Sequence, residues 1–424
     1  MNVMWLCSTP LPYVSKHYGR SIAVQGGWIS GAFHDLIESG CRSLCVCYPQ
    51  AVKRDVEIFK DGRLLACGFP WSRKKESYDS TIDLFKAMLK RVNPDVVHIF
   101  GTEHEFCEAM VVAAADVGIL AKTVVSIQGL VSEYSKAFCP DIPAITMHAT
   151  TISELKSRTN LMAQKKSYYV RGMNEIRLLG RIEHVMGRTM WDYAHCKRFN
   201  QNVSYHHCGE TLRTEFYEAE PGYATSSHNI FFSQGGKPIK ALYHLIRAME
   251  IVLERFPDAK VFISGTNGFK SSLLKGSSYD RYLNRLSRDL GVGGSLVFLG
   301  EINATGVIDA MRKCACFVST SSIENSPNSM GEAMMLGLPC IASFVGGVPD
   351  MAIHQKEAYL YTWGDIGLLS HYIMSVFEEP RRAFDIGFSG MKRAREINHS
   401  RSANKQALLG AYEEIAGKGV DPCG

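Results

Sequence analysis

The sequence predicts an α/β protein with two doubly wound, Rossmann-like parallel sheets. Short apolar, β-prone runs recur along the chain, the composition of strands buried on both faces. Helical stretches separate these runs, and strands that alternate with helices build parallel sheets covered on both sides. The alternation runs once before and once after a small, polar, turn-rich segment at 221–228, PGYATSSH, which reads as a linker.

The 424 residues suffice for two or three domains, and 46% hydrophobic with 21% charged residues is a soluble globular balance. A net charge of +5 suits phosphate ligands or an anionic membrane surface and is too weak to argue for nucleic acid. The 13 cysteines include no CxxC pair, and no His/Cys cluster has ligand spacing, so neither zinc nor another metal is expected. Cys45/Cys47 and Cys314/Cys316 sit at strand spacing, each pair expected on one face as reduced core thiols of a cytoplasmic protein. The opening MNVMWLCSTPLP has no basic region before a short apolar run and reads as a first strand rather than a signal peptide.

In the first half, strands are expected at 2–7, 42–48, 95–100, 123–127 and 182–186, with helices from 28 to 39 and 79 to 91. Gly26 and Gly27 stand between strand one and helix one, where glycine lets backbone approach a ligand closely, although taken alone they read first as a plain tight turn. Glu103 and His104 follow the strand DVVHIF, at the sheet edge where open α/β folds bind ligands; His98 lies inside that strand and reads as a packed core histidine. Gln128 ends the next strand, and Arg188 opens a helix after the fifth, placed to meet a phosphate or carboxylate. The basic stretch 152–181 is either a solvated helical face or a patch for anionic lipid or a diphosphate-linked acceptor.

In the second half, strands are expected at 229–233, 260–264, 296–299, 316–319 and 340–343, and helices at 240–255, 365–378, 381–395 and 401–416. The most informative stretch is 319–350, STSSIENSPNSMGEAMMLGLPCIASFVGGVPD. Ser326, Pro327 and Asn328 make a turn, and Ser329 with Glu332 has the spacing of a capping box. Gly337 stops that helix, and Pro339 follows. A helix start at the carboxyl end of a parallel strand is a place for an anion, because free N–H groups and the dipole point there. Glu324 and Glu332 flank that place; carboxylates repel phosphate and so suit hydroxyl groups. Phosphate in the middle and polyols at both ends describe a nucleotide-sugar.

Glu324 and Glu332, with seven residues between them, resemble the E-x7-E signature of retaining GT-B glycosyltransferases of family four, and ENSPNSMGEAMMLGLPCIAS with GGVPD agrees with that family. The resemblance implies the GT-B arrangement, two such domains facing a cleft: 1–222 for the acceptor, 223–395 for the nucleotide-sugar, and a terminal helix in 396–424 crossing back. It implies that Glu324 contacts sugar hydroxyls, Glu332 holds the ribose, and backbone amides from Ser326 through Asn328 to Ser329 face the diphosphate. Gly26 and Gly27 become the family's glycine loop over the donor phosphates, and Lys240 matches the lysine that clamps them.

Two positions depart from the pattern. Gln128 stands where the family often has histidine, and His104 is a candidate to supply the lost polarity; Glu103, Gln128 and Arg188 are candidate sugar or acceptor contacts. Gly235 stands where the clamping arginine is expected, so Lys237, or the backbone amides of Gly235 and Gly236, would take over its charge. The expected activity is a retaining, metal-independent, cofactor-free transfer of a hexose or amino-sugar from a nucleotide diphosphate-sugar. HIFGTEHE and SIQGL resemble capsule and exopolysaccharide enzymes, implying a glycan or polyprenyl-diphosphate-linked acceptor and peripheral contact with the inner face of the plasma membrane. The rivals are a nucleotide-sugar epimerase on the same scaffold and a catalytically inactive binding partner.

Overall fold

The computed structural model describes residues 1–20, 27–51, 56–72, 75–266 and 276–417. They form two compact units: Met1–Ser132, Tyr169–Thr211 and Ser400–Gly424 in the first, Glu133–Tyr168 and Leu212–His399 in the second. The expected boundary at 222 needs correction in two places, because 133–168 and 212–222 group with the second unit. Leu212 and Phe216 explain the latter, since both are buried in the cluster that contains Phe317 and Met334. Phe138 and Leu161 explain the former, since they pack with Leu242 and Tyr279.

The first unit holds strands β1 (Asn2–Leu6), β2 (Ser43–Ala51), β3 (Glu57–Asp61), β4 (Leu64–Trp71), β5 (Val96–Phe100), β6 (Thr123–Ser126), β7 (His184–Gly187) and β8 (Ser204–His207). Their order is β3-β4-β2-β1-β5-β6-β7-β8. All neighbours are parallel except the hairpin β3–β4. That hairpin was not expected from periodicity. Its signal is Gly62, first of the two loop residues Gly62-Arg63, at φ 53°, a backbone conformation that glycine adopts without steric cost.

The second unit holds β9 (Asn229–Phe232), β10 (Lys260–Ser264), β11 (Leu296–Gly300), β12 (Cys316–Ser319), β13 (Cys340–Ser343) and β14 (Tyr359–Tyr361). The order is β11-β10-β9-β12-β13-β14, parallel throughout. Successive strands add on one side of β9 and then on the other, so the winding reverses between β9 and β12. It reverses likewise between β1 and β5 in the first sheet. Such reversals open a crevice beyond the carboxyl ends of the strands, where ligands of doubly wound folds bind.

The described cysteines are free thiols. Cys45 and Cys47 do share a face, with Sγ atoms 4.0 Å apart. Cys314 and Cys316 do not: Cys314 precedes β12, and the two pack in different core clusters.

In the first unit the terminal helix Arg401–Ile415 is tied to the sheet by a buried polar chain. The Trp5 indole N–H donates to the Tyr412 hydroxyl at 2.9 Å. Tyr412 Oη lies 2.6 Å from His98 Nδ1, and His98 Nε2 lies 2.6 Å from Ser126 Oγ. Indole can only donate, so the Tyr412 proton goes to Nδ1, and His98 carries its own proton on Nε2. Burial pushes the His98 pKa down to about 3, which keeps the imidazole neutral. The unfolded chain therefore binds a proton near pH 6.5 that the folded chain refuses until about pH 3. This contribution is whole above pH 6.5 and drains away as the pH falls toward 3. Thermal melts across that window should show stability falling with acidity, and His98→Gln should flatten that slope relative to the parent. Tyr412→Phe should cost about 1–3 kcal/mol in urea unfolding, because it strands buried Trp5 and His98 nitrogens.

Candidate active site

The second unit brings Glu324 and Lys240 together at its switch point. β9 ends at Phe232, and the chain turns through Gly235 and a 3₁₀ turn, Pro238–Lys240, before the helix Leu242–Arg255. That helix begins two residues later than expected, because Ala241 takes a left-handed conformation, φ 49°, between the two helical pieces. The loop after β12 locks onto this turn. Thr320 Oγ1 donates to the carbonyls of Lys240 and Ala241, each at 2.8 Å, and the Ser322 amide donates to the Ile239 carbonyl at 3.0 Å. On the other side the Gly347 amide donates to the Glu324 carbonyl at 3.1 Å. Gly346, at φ 51°, lies so near that carbonyl that a β-carbon would collide with it.

Held this way, the buried Glu324 carboxylate ion-pairs with the Lys240 ammonium and accepts from Ser321 Oγ at 2.6 Å. Lys237, from the same turn, has a lowered pKa, first through surrounding protein mass and then through the Lys240 charge, although its side chain keeps contact with solvent. The Gly235 departure also has a structural reason. A β-carbon there would run into Ile263 and sit 3.2 Å from Leu242, so no arginine fits on this backbone. The Gly235 amide donates to the Ser264 carbonyl at 3.2 Å, so of the two glycine amides this one is already bonded within the fold.

The helix Asn328–Met335 differs from expectation at its start. Its N-cap is Pro327, with no side-chain cap, and the Ser329–Glu332 capping box does not form. Glu332 turns instead to Arg213: Nε to Oε1 at 2.6 Å and Nη2 to Oε2 at 2.7 Å, a bidentate pair with the guanidinium 5.0 Å over the Phe216 ring. Fork-to-fork pairing of two charges outcompetes one bond to a backbone amide. Asn328 presents a buried Oδ1 that no donor satisfies, beside the half-buried Ser329. Glu324, Ser326, Asn328, Ser329 and Glu332 thus lie along one loop and one helix start, and Lys240 pairs with the first of them.

The first unit carries a separate pocket of about 500 Å³, mouth included, at the carboxyl ends of β5, β6, β7 and β8. Gln128 and Arg188 line it, together with His98, Ser126 and Glu210. Arg188 donates to the Ile127 carbonyl at 3.1 Å and pairs with Glu210 at 2.9 Å. Glu103 and His104 are not among its lining residues. His104 stacks on Phe106, with ring centroids 4.8 Å apart, at the N-cap of the helix Glu105–Asp116. The Glu103 carboxyl is raised to about 7, first by burial and further by Glu175. Gly26 lies outside the described residues, and Gly27 is the first residue of the helix Gly27–Glu38. The sequence singles out Arg213 and Glu210 in the block 204–217, which the resemblance marks as the entry to the cleft, but not the pairing of Arg213 with Glu332, since 119 positions separate them. Nor does it place Glu210 beside Ser126 in one pocket, which needs the strand order.

Residues 215–393 match the family model described as glycosyl transferases group 1. This segment is a group 1 glycosyl transferase domain. A D-inositol 3-phosphate glycosyltransferase of Catenulispora acidiphila is 25% identical over 169 residues, 39% of either chain. A GDP-mannose-dependent phosphatidylinositol monomannoside mannosyltransferase of Mycolicibacterium smegmatis is 27% identical over 161 residues, 36% of this chain and 39% of that one. The chain thus spans well under half the length of these two relatives. Among solved structures, the sucrose-phosphate synthase of Thermosynechococcus elongatus superposes with TM-score 0.69 at 14% identity, covering 98% of this chain and 99% of that one. Anabaena HepE, solved with UDP and glucose, superposes with TM-score 0.63 at 14% identity, covering 96% and 98%. At these identities the likeness establishes the fold, GT-B, over nearly the whole chain. Lys240, Glu324 and Glu332 lie inside the group 1 segment, and Arg213 stands two residues before it.

Removing one partner of a buried ion pair leaves the other charge stranded, at about 3–5 kcal/mol. Arg213→Met should therefore lower the free energy of urea unfolding by about that much. Arg213→Met combined with Glu332→Gln should recover part of the loss.

Proposed function

We propose that the protein is a retaining, metal-independent glycosyltransferase. It moves a hexose or amino-sugar from a nucleotide diphosphate-sugar to a glycan or lipid-linked acceptor in surface polysaccharide synthesis. The observation that carries this reading is the Lys240–Glu324 pair at the switch point of the second sheet, inside the group 1 segment.

In this reading Glu324 orients sugar hydroxyls and Glu332 holds the ribose. The amides between Ser326 and Ser329, and the side chain of Asn328, meet the diphosphate. As the bond from the anomeric carbon to the diphosphate oxygen breaks, the sugar becomes cation-like and negative charge gathers on the leaving group. Lys240 and Lys237 stand to stabilise that charge. Preorganised donors aimed at developing charge are worth roughly 3–4 kcal/mol each. Gln128 and Arg188, with Glu103 and His104 elsewhere in the same unit, are candidate acceptor-side or sugar contacts. The mannosyltransferase relative is named for a GDP-sugar, and HepE was solved with UDP, so the base is for experiment to decide.

A thermal-shift screen against UDP-, GDP- and ADP-sugars should raise the melting temperature with one class of donor, since ligands that bind only the native state stabilise it. Glu332→Ala should chiefly weaken donor binding, by about ten- to a hundredfold for a lost charged hydrogen bond. Glu324→Ala should chiefly lower kcat. Full activity in both variants, in a transfer or donor-hydrolysis assay, would overturn the assignment. An epimerised nucleotide-sugar formed without acceptor would identify an epimerase, and calorimetric binding with no turnover would identify an inactive partner.

A further inference from the structure

Arg213 and Glu332 both belong to the second unit, and their fork is built as more than a brace. Replacing a buried ion pair by apolar side chains of like volume is often neutral or stabilising, so stability alone gives little reason to bring two charges together here. The pair is also not sealed in. The Arg213 side chain is 18% exposed and that of Glu332 8%, so the fork keeps contact with solvent.

The fork acts on the carboxylate in a specific way. The last torsion of a glutamate is broad, and one hydrogen bond would leave the carboxylate free to swing. Two parallel bonds, Nε to Oε1 at 2.6 Å and Nη2 to Oε2 at 2.7 Å, fix its plane. The guanidinium is fixed in turn. It lies 5.0 Å over the ring of Phe216, a fully buried side chain packed with Phe317 and Met334. Order thus passes from the core through Phe216 and Arg213 to Glu332. A carboxylate has about four lone-pair sites, so a guanidinium fork and hydroxyl donors are compatible on one group.

Charge points the same way. Asn328 and Glu332 are four residues apart, hence on one face of their helix and separated by about 6 Å along its axis. A bare carboxylate so near the helix start would oppose an anion there. Arg213 cancels that charge and leaves Glu332 as an oriented acceptor for hydroxyl groups.

We propose that Arg213 is a positioning residue of the donor site. It holds the Glu332 carboxylate in the orientation that accepts from the ribose hydroxyls, and so sets a preference for ribose over deoxyribose. This rests on the reading that Glu332 holds the ribose. Arg213 takes no part in breaking the bond to the diphosphate, which that reading gives to Lys240 and Lys237.

The test is titration calorimetry of the full chain with UDP, GDP and ADP, and with the 2′-deoxy and 3′-deoxy forms of whichever binds. The parent should bind the ribose form at least roughly tenfold tighter than one of the deoxy forms, the worth of a hydrogen bond to a charged group. Arg213→Lys keeps the charge and loses the fork. It should weaken the ribose form about tenfold and bind that deoxy form as the parent does, so that the preference disappears. In donor hydrolysis it should raise KM and hold kcat, the mark of a contact made equally before and during reaction. Circular dichroism checks that it folds as the parent, and Arg213→Gln takes its place if it does not. Equal weakening of both forms would show a merely structural brace. Tighter binding of the ribose form would show a fork that blocks the ribose, and an unchanged preference would show a carboxylate that needs no orienting. Each of these outcomes overturns the proposal. A parent that binds a nucleoside diphosphate without regard to its ribose hydroxyls overturns the proposal and the ribose role of Glu332, and leaves the transferase reading standing. A parent that binds none of the three overturns that reading as well.

Discussion

The candidate site depends on one seam of hydrogen bonds. Thr320 and Ser322, after β12, clasp the carbonyls of Ile239, Lys240 and Ala241 after β9. β9 and β12 are neighbours, so their carboxyl ends emerge side by side, and the seam converts that adjacency into a fixed pair, Lys240 against Glu324. A long lysine side chain loses about 2 kcal/mol of rotamer freedom when it is held. Here the cost is met within the fold, because Ser321 fixes the carboxylate and the backbone beneath both residues is already tied down. Preorganisation of this kind lets charge act without rearrangement during reaction.

Arg213 and Glu332 show the same economy with a different outcome. Glu332 has the spacing of a local cap, but a bidentate guanidinium offers two charge-assisted bonds where a backbone amide offers one. The helix tip at Asn328 thereby keeps its end free of a side-chain cap. A carboxylate drawn away from a helix start also leaves the positive end of the dipole available to an anion. One pairing thus shapes two features of the site.

Much of this was legible in the chain. The runs at β1, β5, β9 and β12 announce buried strands because parallel strands need apolar side chains on both faces. The sequence around Glu324 and Glu332 carries its loop, its helix and its glycines locally, and the resemblance reads the same letters. The hairpin β3–β4 escaped because Gly68 and Pro70 interrupt β4 with residues that read as turn, and β14 because three residues show no period. The capping box was misread because local spacing cannot register a competitor far off in the chain. Residues 133–168 were placed in the wrong unit because burial of Phe138 and Leu161 against Leu242 leaves no mark on composition.

By itself the sequence determined the kind of protein, two series of strands and helices with a glutamate pair around a helix tip, because periodicity and turn chemistry act over a few residues. Only the tertiary structure decided the partners. Lys240 meets Glu324 because β9 lies beside β12, Glu332 meets Arg213 across 119 positions, and Gly235 is glycine because Ile263 fills the space a side chain would need. These outcomes follow from strand order and close packing, and neither is written within reach of any single stretch of chain.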